Sequence, residues 1–201
     1  QMTATLEAAP AMIDEDTRAW SRNQSDYLAS GKGCRFDVER GNYAVWWVER
    51  FAKLYEGEQA GQPLLLHGCK QCGFYDLPPA TDFATWDDEA ETVYHERARR
   101  YAECVDAGHD CDWQYEVAMR LFGWVFWGKR ASMREPRWVR RFTSASVWVA
   151  KKNKKSQTGA AFGLYLTIGD GEQGQKVFCL AKTGDQARRI SDIRIDEIGS
   201  G

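Results

Sequence analysis

The stretch from Val147 to Leu166 limits the fold more than any other part of this chain. Val147-Trp148-Val149 has the β-branched and aromatic character of a strand and runs directly into Ala150-Lys151-Lys152-Asn153-Lys154-Lys155-Ser156. Ala160, Ala161, Leu164 and Leu166 follow at helical intervals until Gly169-Asp170-Gly171 breaks the pattern. Val177 to Ala181 reads as a second short apolar strand, and helical character returns from Asp185. Strand, basic loop, helix, strand, helix is how an α/β domain with a parallel sheet begins, because parallel strands need a crossover between them. The expectation is an α/β fold in which the strand from Phe142 to Val149 belongs to a parallel sheet.

Charge is distributed unevenly around that segment. The net charge is -2, yet residues 129–155 hold ten Lys and Arg against the single acid Glu135, a net of +9 that leaves -11 for the remainder. Such a window attracts phosphates, of a nucleotide or of a nucleic-acid backbone, or else is a solvated basic loop. Hydrophobic content of 43% and charged content of 28% fit a soluble globular chain. No run approaches the ~18 apolar residues of a membrane span, and Gln1-Met2-Thr3-Ala4 does not open a secretory signal, so a cytosolic setting is expected.

Upstream, residues 1–41 are polar and read as an irregular entry segment with one short helix. Tyr43, Trp46, Trp47, Arg50, Phe51 and Leu54 recur at spacings of three and four, predicting an amphipathic helix from Tyr43 to Tyr55 that Gly57 stops. A further helix is predicted from Trp86 to about Val105. Another begins near Asp112 and carries Trp113, Val117, Leu121, Trp124 and Val125.

Lys155-Ser156 between a strand and a helix has the setting of a phosphate-binding loop. Backbone N–H groups at a helix start cradle phosphate, the lysine reaches the β- and γ-phosphates, and the hydroxyl ligates magnesium. Lys155 would then hold phosphate and Ser156 magnesium, with Lys152 and Asn153 lining the approach. The glycine positions of the general motif are Val149 and Lys154 here. A side chain at Lys154 matters, because left-handed backbone costs a non-glycine residue about 1–2 kcal/mol.

The segment Val147 to Ser156 resembles the deviant Walker A loop of phage terminase large subunits, the ATP-driven motors of DNA packaging. That family relaxes the first glycine, so Val149 fits it. Leu164-Tyr165-Leu166 with Gly169-Asp170-Gly171-Glu172 is similar to the end of the family's P-loop helix and the turn after it. Val177-Phe178-Cys179 with Asp185-Gln186-Ala187-Arg188 is similar to its next strand and helix start. Upstream, Gly61-Gln62-Pro63 resembles its Gly-Gln-Pro entry. Trp113-Gln114 and Leu121-Phe122-Gly123-Trp124 resemble its adenine-side segment and the turn that follows.

The resemblance implies the nucleotide-binding part of a P-loop ATPase that drives double-stranded DNA into a viral procapsid in the host cytoplasm. It implies ATP with magnesium as cofactor, and a portal, a terminase small subunit and further copies of itself in a ring as partners, without a membrane. Nucleotide would be bound by Gln114, at adenine, and by Lys152, Asn153, Lys154, Lys155 and Ser156. The ATPase domain would comprise 42–66 and 112–201, with 67–111 as an insertion. Lys154 departs from the glycine that the family keeps. The family's Walker B aspartate, catalytic glutamate, coupling motif and nuclease domain would lie beyond this chain. Ile193-Arg194-Ile195-Asp196-Glu197 imitates a Walker B strand but reads as a helix end or tail. Lacking a base to activate water, this part alone is expected to hydrolyse ATP poorly or not at all.

The insertion carries Cys69-Lys70-Gln71-Cys72-Gly73, then Cys104, His109 and Cys111. A C-x-x-C-Gly turn suits two ligands of a tetrahedral zinc, which Cys104 with Cys111 or His109 would complete; thiols in a reducing cytosol and disulfides are the other readings. Two other functions are compatible with the chain. One is a helicase-like DNA-dependent ATPase, and the other a zinc-stabilised basic DNA-binding module without ATPase activity.

Overall fold

The computed structural model describes residues 14–54, 58, 60–66, 83–109, 111, 113–129, 133–150 and 154–171. Its architecture mixes helices with one small sheet. In chain order the elements are α1 (Glu15–Ala19), α2 (Gln24–Ser30), β1 (Cys34–Phe36), α3 (Val38–Phe51), α4 (Asp88–Asp106), α5 (Trp113–Gly123), β2 (Trp124–Gly128), β3 (Arg137–Arg140) and α6 (Lys155–Leu164). A π-helical turn, Tyr165–Gly169, continues α6.

Short acidic or amide side chains start four of these helices. Asp14, Asn23, Asp37 and Asp87 each accept a hydrogen bond from the backbone N–H three residues on, at 2.6–3.0 Å. Each satisfies an amide that the first helical turn leaves without a partner.

The core is built around α3, which packs between α4 and α5. Ala44, Val45 and Val48 are wholly buried and Trp46 and Trp47 nearly so. This helix is therefore covered on several sides, and Asp37 rather than Tyr43 marks its start. Trp20 stacks on Phe36 with ring centroids 4.7 Å apart and, at 6.0 Å, on Tyr101. Glu49 of α3 is wholly buried. It accepts from Leu66 N–H at 3.0 Å, Tyr94 O–H at 2.8 Å and the Arg97 guanidinium at 3.1 Å. Through Tyr94, Arg97, Ala98 and Tyr101, α4 shares this core although it falls within 67–111.

The sheet corrects the expected topology. Its order is β1-β2-β3, and both pairings are antiparallel, with Arg35 opposite Val125, Val125 opposite Arg140 and Trp127 opposite Trp138. No parallel pair occurs among the described residues, and Val177 to Ala181 lies outside them. The strand expected from Phe142 to Val149 has no sheet partner among the described residues, and Trp148 on it is 94% exposed. Strand structure sits just upstream, at Arg137–Arg140, where the pair Trp138-Val139 is hidden between arginines of the basic run. The helix predicted through Val125 ends at Gly123, where β2 begins. Trp124-Val125-Phe126-Trp127 are strand-forming residues that happened to continue the helical spacing. The N-terminal segment holds two helices and β1 rather than one short helix. By contrast, α4 and α6 lie close to where the periodicity puts them.

No helix among the described residues is long and apolar enough to cross a membrane.

Candidate nucleotide-binding turn

The basic loop delivers its last described residues to the start of α6. Lys154 is the N-cap, at φ 52° and ψ 16°, in the left-handed region. Among the described residues it is the sole non-glycine with positive φ. The local fold thus asks for glycine where the sequence supplies lysine. Lys154 makes no side-chain cap, and the first turn of α6 holds no acid. The backbone N–H groups of that turn lack the carboxylate or amide oxygen that closes α1 to α4, and the helix dipole adds partial positive charge there. Lys154, Lys155 and Ser156 are all exposed on this turn.

Behind the turn the helix is fixed. The buried Thr158 donates from N–H at 2.9 Å and from its hydroxyl at 3.0 Å to the Lys154 carbonyl. Ala161 and Phe162 enter the core, where Phe162 meets Phe122 edge to face at 5.5 Å. Tyr165 meets Phe122 at 4.7 Å and Trp47 at 5.6 Å, and burial pushes its phenol up. At the far end, the Asp170 carboxylate is inaccessible and receives Arg140 at 2.6 Å and Arg40 at 3.1 Å. No local pattern signals this clamp, because its partners lie 30 and 130 positions away.

The same ion pairs revise the reading of the basic window. Arg140 is committed to Asp170, and Arg141 to the buried Asp26 at 3.0 Å, which also takes Arg120 at 2.6 Å. Those positive charges serve internal carboxylates. Lys129, Arg134, Arg137, Lys154 and Lys155 remain exposed to solvent.

The expected site residues are only partly brought together. Lys154, Lys155 and Ser156 share one turn, while Lys152 and Asn153 lie outside the described residues. Gln114 sits in the first turn of α5, at the opposite end of that helix from the Phe122 contact with α6, roughly 12 Å along the axis. Its side-chain oxygen is buried without a hydrogen-bond partner. An acceptor so placed can take an N–H donor.

Only part of the proposed zinc set lies among the described residues. Cys104 is buried in the core on α4, Cys111 packs against that core, and Cys69 and Cys72 lie outside the described residues. No group of three or more His, Cys, Asp or Glu that could hold a metal occurs among the described residues.

Comparison with protein-family models, curated proteins and solved structures returns no match.

Proposed function

We propose that this chain is the nucleotide-binding front part of a terminase large subunit, the motor that moves double-stranded DNA into a viral procapsid using ATP and magnesium. The observation that carries the reading is the start of α6. Lys154 is wound left-handed ahead of uncapped amides, with Lys155 and Ser156 exposed beside them. A triphosphate would occupy these amides as the Asx caps occupy those of α1 to α4. The Lys155 ammonium would neutralise phosphate charge, and the Ser156 hydroxyl would help to hold the magnesium, whose charge would offset that of the triphosphate. The unpartnered Gln114 oxygen suits the exocyclic amine of adenine.

Titration with a fluorescent ATP analogue in magnesium tests the assignment. Saturable binding is expected, lost in Lys155→Ala and stripped of its magnesium dependence in Ser156→Ala. Binding that survives Lys155→Ala unchanged removes the cradle.

A further inference from the structure

The hairpin end of one sheet face carries a second constellation, at residues other than those of the α6 turn. Strand register puts Arg35, Trp127 and Trp138 on one face, since Arg35 opposes Val125, Trp127 lies two residues beyond it, and Trp138 opposes Trp127. Trp127 is 50% exposed and stands edge to face with Trp138 at 5.6 Å. The Arg35 guanidinium lies over the Trp138 ring, 4.3 Å from its centroid. That cation–π contact, with Trp127 across the strand, fixes the orientation of Trp138.

Large aromatic rings left in water on a rigid sheet mark a recognition surface when their surroundings suit a partner. Here the surroundings are cationic. Arg35 lies on the face itself, and Lys129 and Arg134 are exposed at the same hairpin end, against the single acid Glu135. Arg35 has a long ion pair, at 3.7 Å, with Asp37. Exposed aromatic faces within a positive field match the chemistry of a strand whose bases are unstacked. Any base can stack on an indole, and the flanking phosphates answer the cations. A duplex buries its base faces and offers this surface phosphates alone.

We propose that this face is a stacking platform for single-stranded nucleic acid, with Trp127 receiving a base and Lys129 and Arg134 tracking the adjoining phosphates. It does not depend on the nucleotide assignment.

The test uses the whole chain with fluorescein-labelled oligothymidylate of about 12 nucleotides, a duplex of equal length and an abasic strand of equal length. Anisotropy should show the oligothymidylate bound on the order of tenfold more tightly than the abasic strand, with quenching of tryptophan fluorescence. Trp127→Ala should remove most of that preference, and Trp127→Phe should restore part of it. Tyr27→Ala, which removes an exposed ring on α2, should leave it intact. Lys129→Ala should lower the slope of log affinity against log salt by about one. Equal affinity for abasic and base-bearing strands overturns the platform, and that comparison needs no variant to fold. Tighter binding of the duplex, or Trp127 quenched by self-association without oligonucleotide, overturns it as well.

Discussion

Lys154 shows how one residue can carry both a local cost and a functional expectation. Its φ of 52° is glycine's territory, and for lysine that geometry costs about 1–2 kcal/mol. Glycine would remove the strain but give back about 0.4–1 kcal/mol through a freer unfolded chain. Lys154→Gly should therefore raise stability by roughly 0.5 kcal/mol in urea denaturation. Any large effect should be on ligand. If the side chain obstructs the turn, the same variant should tighten the ATP analogue several-fold, whereas weaker binding would mean that the Lys154 ammonium itself contacts phosphate. The glycine-like demand at this position was legible in the sequence, because it follows from a motif only a few residues long. The setting of Gln114 was not, since whether an amide oxygen is buried without a partner depends on elements far away in the chain.

Elements were legible where a single periodicity governed them and obscure where two signals overlapped. Helix α4 follows its pattern because one buried stripe, Ala90, Tyr94, Ala98 and Tyr101 with the Glu49-paired Arg97 among them, faces the core. The break between α5 and β2 was hidden by aromatic residues that satisfy either period, and its physical marker is Gly123. A Cβ there would lie 2.6 Å from the Phe36 ring and 3.1 Å from the Asp37 carbonyl. Phe36 cannot retreat, being stacked on Trp20 and set against Trp124 at 5.8 Å. Gly123→Ala should cost about 1–3 kcal/mol by overpacking, read as a lower urea midpoint with an unchanged slope. A smaller effect is expected on the outer face of α4. Hydrogen bonds from Arg99 and Arg100 hold the Glu96 carboxyl down at about 2, against 4.5 ordinarily. A depressed carboxylate stabilises above its unfolded pKa, so this contribution is present above pH 4.5 and fades as pH falls toward 2. At this partly exposed site it is worth tenths of a kcal/mol. Glu96→Gln should be nearly silent near pH 2, with its small loss of melting temperature growing in as pH rises from about 2 and complete above 4.5. A loss independent of pH would assign Glu96 a packing role instead.

At the scale of the molecule, three buried carboxylates join segments that no local pattern connects. Asp26 ties α2 to Arg120 on α5 and to Arg141 just past β3. Glu49 ties α3 to α4 and to Leu66, and Asp170 ties the end of α6 to α3 and β3. Composition counted these arginines as surface charge, and the fold spends several of them inside. Desolvating such a pair offsets much of its attraction, but removing one partner strands the other, at about 3–5 kcal/mol. Asp170→Asn keeps the size of the side chain and deletes the charge facing Arg40 and Arg140, so it should destabilise by an amount in that range, toward its lower end because Arg40 is partly exposed. The location of the damage is the sharper readout. Asp170 anchors the helix whose other end is the proposed phosphate cradle, so hydrogen exchange should quicken first in residues 155–171, below the free energy of global unfolding. ATP-analogue affinity should fall with it, because a frayed helix no longer presents its first amides as a set. Pairing Asp170→Leu with Arg140→Leu should recover part of the stability, since an apolar contact leaves fewer unmatched charges buried. Exchange that quickens evenly across α3, β3 and α6 would instead make Asp170 a support of the whole core, with no special hold on the turn at Lys154.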